Sequence, residues 1–281
     1  MTFLAIIIAL ILTRVWGSAS RIHRDQWFRR WQSALANLGV GAAGRLVLAV
    51  GLPVLVAQCL LNVLEPWFFG LPWIALAVVL LLYSLGRRDF HQLMADYRSY
   101  CRKGDFEGAY LSTLPGLGWT EARESPASPE EVDALVQRGF FYEGYQRWFA
   151  VLFYFVLLGP VGALAYRLLH LCRDRFEGQR VERGLFLVDW VPARLLAAAF
   201  GLAGDFVRSR DSLLDGLLDV GMSAQELLED VGTAALGAPE AVSGERSFGD
   251  CAAMQNEGTG QLLYRSAACW LALLSLVVLL D

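Results

Sequence analysis

Charged and polar side chains cluster at the two edges of an uncharged block, residues 148–166. Gly159-Pro160 lies in the middle of this block, where proline removes a helix hydrogen bond. Charges on both sides of a broken apolar segment are what a polar cavity within a membrane requires. The alternative is interfacial anchoring, in which arginine side chains reach back to the lipid headgroups. Both interpretations remain open for the candidate residues, which are Glu143, Arg147, Tyr166, Arg167, Asp189 and Arg194.

Other familiar site chemistries find little support in the sequence. Residues 39–44 spell G-x-G-x-x-G, but no strand precedes them, so we interpret them as small residues that allow close helix packing. Lys103 is the only lysine, which argues against a lysine-dependent phosphate loop or a Schiff base. The three histidines lack a ligand partner at helical spacing and the five cysteines form no C-x-x-C, so we predict no metal site and no cofactor.

The composition indicates a membrane protein built from helices. Hydrophobic residues make up 56% of the 281 positions, and the mean hydropathy is +0.42. Three blocks, 46–64, 66–86 and 148–166, carry no charge and approach the roughly 20 residues that a crossing helix needs. Residues 266–280 and 1–13 are shorter apolar stretches. We predict an all-α, polytopic helical membrane protein with amphipathic segments of cytoplasmic type, rather than a soluble core or a cleaved signal peptide.

Basic residues suggest the orientation in a bacterial inner membrane. Residues 14–45 hold six arginines and a single acid, Asp25, so we place them in the cytoplasm. A full crossing by 148–166 would put the later arginines on the opposite side. We favour a re-entrant segment at 148–166 over a second crossing by 185–207. A crossing by 185–207 would place its charged residues inside the bilayer, which costs free energy. The net charge of −4 argues against a nucleic-acid partner, and the bilayer is the expected one.

Polar segments separate these spans and read as helices with turns. Lys103-Gly104-Asp105 should end one helix and cap the next, and Ser128-Pro129 should start another. Residues 114–129 and 238–260 are rich in Gly, Ser, Ala or Glu and predict exposed loops. The expected segments are a transmembrane region at 1–86, a polar helical hairpin and loop at 87–147, a broken or re-entrant membrane segment with an amphipathic helix at 148–208, a polar helical segment and flexible loop at 209–262, and a last span at 263–281.

Several short motifs, taken in order, resemble a known superfamily. They are Arg88-Asp89-Phe90, Gly104-Asp105-Phe106-Glu107-Gly108-Ala109, Gly159-Pro160-x-Gly162-Ala163-x-x-Tyr166-Arg167 and Pro192-Ala193-Arg194. The chain thereby resembles the CobD/CbiB superfamily of membrane proteins from its first span to at least residue 205. Within it, the Arg-rich helix after the first span and Arg147-Trp148-Phe149-Ala150 are similar to the AmpE branch. The resemblance adds Arg88 to the candidate ligand-binding residues.

The AmpE resemblance implies an inner-membrane signalling or sensor protein linked to induction of a chromosomal β-lactamase. It also implies a functional link to AmpD, a cytoplasmic muramyl-peptide amidase, and a muropeptide or nucleotide as ligand. The CobD branch instead implies synthesis of adenosylcobinamide phosphate, which needs carboxylates to hold magnesium and phosphate groups. A permease for wall fragments is a third alternative, although the hydrophobic pattern shows no internal repeat.

Departures from the CobD pattern favour a binding site over a catalytic one. The loop at 114–123 lacks that branch's Gly-Arg-Asp-Thr motif. Its Glu-Asn-x-x-Asp becomes Glu143 to Arg147, and its asparagine and aspartate after Tyr-Arg become His170 and Arg173. Replacing acids by arginines removes a metal cluster and adds anion-binding character. We therefore expect a sensor that binds an anionic ligand.

Overall fold

The computed structural model describes residues 2–16, 25–36, 41–85, 90–118, 126–173, 179–237 and 247–280, and these contain helices and turns but no strand. The all-α prediction is confirmed. The helices are α1 Thr2–Trp16, α2 Gln26–Ala36, α3 Ala42–Leu64, α4 Leu71–Ser84, α5 Phe90–Arg102, α6 Phe106–Thr113, α7 Pro129–Gly144, α8 Ala150–Leu158, α9 Pro160–Cys172, α10 Gln179–Ala203, α11 Phe206–Leu218, α12 Ala224–Leu236 and α13 Phe248–Leu280.

The helices form two compact units, each made of two stretches of chain. The first unit comprises Met1–Arg87 and Arg147–Asp189, and the second comprises Arg88–Gln146 and Trp190–Asp281. The boundary between them passes through α10. Each unit therefore contains residues from both the first and the second half of the sequence.

The first unit is centred on α9. Helices α3, α4 and α8 pack against α9, and α1 packs against α4. Its buried core includes Phe28, Leu35, Tyr83, Leu164 and Leu168. The opposite face of α3 is apolar and exposed, as only 17% of its span-length window is buried within the protein. An apolar helix with so little protein around it is suited to contact with lipid.

Not every uncharged block forms one long helix. Block 66–86 begins with a 3₁₀ turn, Phe68–Gly70, in which Phe68 and Phe69 have positive φ angles of 45° and 57°. The following α4 has only 14 residues, or about 21 Å at 1.5 Å per residue. Two helices of the described residues, Ala42–Leu64 and Arg180–Ala203, are long and apolar enough to cross a membrane. The sequence predicted more membrane crossings than these helix lengths support.

The block 148–166 is broken at its Gly-Pro pair. Helix α8 ends at Leu158, Gly159 adopts a φ of 76°, and α9 begins with Pro160. A positive φ favours glycine, and proline suits a first helical position because its nitrogen has no hydrogen to donate. The two residues thus end one helix and start the next within a single apolar stretch.

Helix ends in the second unit confirm the turn predictions. Gly104 has a φ of 73°, and Asp105 Oδ1 accepts a hydrogen bond from the amide of Gly108 at 2.8 Å. Ser128 caps α7 by accepting from the amide of Glu131 at 3.3 Å. These side chains satisfy amides that the first helical turn leaves unpaired.

The loop predicted at 238–260 is wrong over its described part, residues 247–260, because α13 begins at Phe248. Ser247 starts this helix by accepting from the amide of Asp250 at 3.2 Å. Over residues 248–260 the buried face of this helix carries small or polar residues, including Ala252, Asn256 and Thr259, rather than large apolar ones. The exposed loop predicted at 114–129 is also incorrect at its start, since Leu114 and Leu117 are buried.

Candidate functional site

A hydrogen-bonded group of polar side chains lies inside the first unit. Tyr166 Oη on α9 donates to Asp189 Oδ1 on α10 at 2.8 Å. His170 Nε2, one helical turn beyond Tyr166, lies 2.9 Å from the same hydroxyl and 4.0 Å from the same carboxylate oxygen. All three side chains are buried, and Asp189 is only 2% exposed. A buried carboxylate of this kind requires such donors, because water cannot supply them.

Tyr154 on α8 also contacts this hydrogen-bonded group. Its ring stacks on that of Tyr166 with the centroids 5.4 Å apart, and its hydroxyl donates to the carbonyl oxygen of Val188 at 2.6 Å. A β-carbon on Gly162 would collide with the carbonyl oxygen of Tyr154. Glycine at position 162 therefore lets α9 approach α8 closely enough for the two tyrosine rings to stack.

Arg167 forms a second contact from the same helix. Its Nη2 lies 3.8 Å from Oδ2 of Asp25, the residue immediately before α2. Tyr83 on α4 donates to the other oxygen of that carboxylate at 3.1 Å. Asp25 is 2% exposed, whereas the Arg167 side chain is 15% exposed. Arg167 therefore links α9 to the start of α2, and part of its side chain remains exposed.

We refer to these residues as the α9 polar cluster: Asp25, Tyr83, Tyr154, Tyr166, Arg167, His170 and Asp189. Formally, it contains two acids and one arginine, and its imidazole is charged only when protonated. The arrangement can hold or exchange protons and can bind an anion through the guanidinium. No group of three or more potential metal ligands occurs in the part of the chain that the structure describes.

Arg194 has a different setting, in the second unit. Its guanidinium donates to the carbonyl oxygen of Asp219 at 2.6 Å and to that of Trp190 at 3.2 Å. It also lies 4.0 Å above the centre of the Trp190 ring. These contacts join α10 to the end of α11, so this arginine fixes helix packing within the second unit.

Glu143 and Arg147 are both buried, at 4% and 8% exposure. Glu143 is near the end of α7 and faces the turn after α6, since a β-carbon on Gly118 would lie 3.9 Å from its Oε1. Arg147 lies in a π-helical turn, Tyr145–Phe149, that leads into α8. Such turns occur often at functional positions. Arg88 lies outside the described residues.

The structure brings together Tyr166 and Asp189 from our candidate set, and it adds partners that sequence reasoning did not assign to the site. Asp25 is the partner of Arg167, and His170 contacts Tyr166. The isolated acid in the arginine-rich stretch 14–45 was the available signal for Asp25. The i, i+4 spacing of Tyr166 and His170 on one helix was the signal for His170.

Comparison with known proteins assigns the chain to a family. The family model described as "Regulatory signalling modulator protein AmpE" matches residues 1–238. The chain belongs to the AmpE family. This assignment confirms the resemblance drawn from the short motifs around α5, α9 and α10.

Two curated relatives carry the name cobalamin biosynthesis protein CobD. The protein from Stutzerimonas stutzeri is 29% identical over 221 residues, which is 72% of this chain and 70% of the relative. The protein from Chromobacterium violaceum is 28% identical over 216 residues, covering 70% of this chain and 68% of the relative. These similarities are consistent with the CobD/CbiB superfamily. No solved structure matches the chain significantly.

Proposed function

We propose that this chain is a multi-pass inner-membrane signalling protein that takes part in the response to cell-wall stress and in β-lactamase induction. Membership of a family described as regulatory signalling modulators supports a signalling role. The exposed apolar face of α3 and the length of α10 support insertion in the bilayer. The further crossings would be made by the shorter apolar helices α1 and α4, which need local bilayer thinning to span it.

The observation that carries this proposal is the α9 polar cluster. A buried charge in an apolar unit costs free energy unless it is paired. Apolar side chains would pack these helices without that cost. Ionisable groups in such positions commonly serve binding or switching rather than stability. The cluster also joins four helices and the start of a fifth, because Tyr83 belongs to α4, the residues from 154 to 189 lie on α8, α9 and α10, and Asp25 directly precedes α2.

Arg167 is the residue through which a ligand would act. Its distance of 3.8 Å from Asp25 exceeds the roughly 2.7–2.9 Å of a tight charge-assisted hydrogen bond. An anionic wall fragment that bound the guanidinium would weaken its attraction to Asp25. The start of α2 would then keep its contacts with Tyr83 of α4, which include the hydrogen bond to Asp25 and the ring of Trp27 at a centroid distance of 6.2 Å. We infer that ligand binding shifts α2. This shift would change how readily α2 binds a cytoplasmic partner, and it would link the protein functionally to the amidase AmpD.

The test replaces the chromosomal copy with variants and measures β-lactamase activity after addition of a β-lactam. Arg167→Gln and Asp25→Asn should each abolish the normal induction, because each removes one side of the pair. Arg210→Gln is the matched control, since this arginine is exposed and pairs only locally with Asp211 among the contacts described. Membrane abundance of each variant is measured by immunoblot. Normal induction in Arg167→Gln at wild-type abundance would refute the role of the cluster.

A CobD-like synthase that acts on a corrinoid or related substrate with ATP is the second candidate, and the similarity to two CobD proteins favours it. Ligand binding to the folded state raises its melting temperature, so thermal stability distinguishes the candidates. Stabilisation of the detergent-purified protein by a muropeptide, and its loss in Arg167→Gln, would support the sensor. Stabilisation by magnesium-ATP or a corrinoid, with no muropeptide effect, would instead identify an enzyme.

A further inference from the structure

A cleft of about 410 Å³ lies in the second unit between α5 and α13. It does not involve the α9 polar cluster. Polar side chains line it from both helices: His91 and Arg98 from α5, and Glu257, Gln261, Tyr264 and Arg265 from α13. Its volume falls in the range of about 300–1,000 Å³ that is typical of small-ligand sites.

The packing of α5 and α13 holds these side chains around one space. The helices run antiparallel, because Cys101 lies beside Gly249, Arg98 beside Asn256 and Met94 beside Gly260. Arg98 Nη1 donates to Asn256 Oδ1 at 3.2 Å, and Asn256 is fully buried. One arginine of the cleft is thus oriented by a hydrogen bond to the protein core.

The cleft is also lined by a small residue, Gly260, and by a buried one, Met94. Met94 is 1% exposed, and a β-carbon on Gly260 would lie 3.6 Å from both its Sδ and Cε atoms. Any larger side chain at position 260 would extend into the cleft. Glycine at this position therefore keeps the space open between the arginines.

The charge of the cleft indicates the chemistry of its ligand. Arg98 and Arg265 contribute two positive charges against the single acid Glu257. Histidine, glutamine and tyrosine add further hydrogen-bond donors, and the carboxylate of Glu257 can accept from hydroxyl groups. Two arginines with additional donors suit the oxygens of a phosphate group. We propose that this cleft binds a phosphate ester that also carries hydroxyl groups, such as a glycerol phosphate.

The ligand has two plausible sources with this same chemistry. Arg265 is followed directly by the uncharged stretch 266–280 at the end of α13, and basic residues beside an apolar segment attract anionic headgroups. This placement favours a phosphatidylglycerol headgroup over a soluble phosphate ester. The proposal stands on α5 and α13 and does not depend on the signalling role of the first unit.

The experiment measures binding to the full chain, purified in a neutral detergent, by titration calorimetry. The probes are dioctanoyl phosphatidylglycerol, dioctanoyl phosphatidylcholine and glycerol 3-phosphate. We expect binding of phosphatidylglycerol, and at least about tenfold weaker binding in Arg98→Gln/Arg265→Gln, since each lost hydrogen bond to a charged group weakens affinity by about that factor or more. Arg210→Gln is the control for loss of an exposed charge outside the cleft.

Two further variants separate loss of the cleft from loss of the fold. Gly260→Leu fills the cleft without removing a charge and should weaken binding by a similar factor. Arg265→Gln alone alters an exposed side chain and should weaken binding while the melting temperature stays at its wild-type value. Tight binding of glycerol 3-phosphate would assign the cleft to soluble phosphate esters. Equal affinity for phosphatidylcholine, or unchanged affinity in both Gly260→Leu and Arg265→Gln, would overturn the proposal.

Discussion

Replacing Tyr97 with phenylalanine should destabilise the second unit by removing one buried hydrogen bond. Tyr97 Oη donates to Asp133 Oδ1 at 2.7 Å, and the two residues are 0% and 7% exposed. The phenylalanine ring would still pack against Phe140, whose ring centre is 5.5 Å away. The substitution therefore tests the hydroxyl group rather than the ring.

The size of the effect follows from the charge on Asp133. A hydrogen bond to an ionised acceptor contributes about 1.5–3 kcal/mol, and one to a neutral acceptor about 0.5–1.5 kcal/mol. A loss near 2 kcal/mol would lower the melting temperature by about 4–8 °C, given about 2–4 °C per kcal/mol for chains of roughly this size. Thermal unfolding in detergent, followed by circular dichroism, measures this shift.

The effect should also depend on pH. Burial raises the pKa of Asp133, opposed by the hydrogen bond from Tyr97. A raised pKa in the folded state means that the stability present below the unfolded pKa of about 3.9 is lost as pH rises through the higher folded value. Wild-type stability should thus fall across this interval, and Asp133→Asn should remove the decrease. The cost of Tyr97→Phe should be larger above the interval, where the carboxylate is ionised.

A double-mutant cycle gives the decisive control. In an Asp133→Asn background, Tyr97→Phe should cost clearly less than in the wild type at pH 8, because the charged acceptor is absent. An identical cost in both backgrounds would show that the hydroxyl does not stabilise the protein through this carboxylate.

Three other predictions concern the second unit. Ser223→Ala should lower the free energy of unfolding by about 1 kcal/mol, because Ser223 and Glu226 form a reciprocal capping box at the start of α12. The melting temperature measures this loss, and Ser223→Asp should restore much of the stability. Gly249→Ala should destabilise by more than about 2 kcal/mol, since its β-carbon would collide with the carbonyl oxygen of Cys101; wild-type stability would contradict this packing. Burial raises the pKa of the Cys101 thiol to about 11, so it should resist alkylation by iodoacetamide at pH 8 until the protein is unfolded; mass spectrometry measures the modification.

Short-range signals predicted several of the helix boundaries. Gly104-Asp105 and Ser128-Pro129 act through bonds to amides within a few residues, so their effect is encoded locally. The break at Gly159-Pro160 is equally local, because each residue restricts its own backbone. Such features are independent of what the helix later packs against.

Long-range features were less accessible from the sequence. The contact between Asp25 and Arg167 joins positions about 140 residues apart, and no spacing rule relates them. The helix at 248–260 was missed because its buried face uses alanine, asparagine and threonine, which are also common in loops. Small side chains suffice there since α13 packs closely against α5, as the contact of Gly249 with Cys101 shows. Hydrophobic periodicity cannot detect a core that depends on close approach rather than on bulk.

The discontinuous first unit has a consequence for biosynthesis. Asp25 leaves the ribosome early, but its partner Arg167 follows only after about 140 further residues. At about 5–20 residues per second, this delay is on the order of ten seconds. During that time α2 and α3 exist without α9, against which α3 packs. The carboxylate of Asp25 therefore cannot meet the guanidinium of Arg167 until α9 is made, so the contacts that α9 makes in the first unit form only after the second unit's first stretch has also been synthesised.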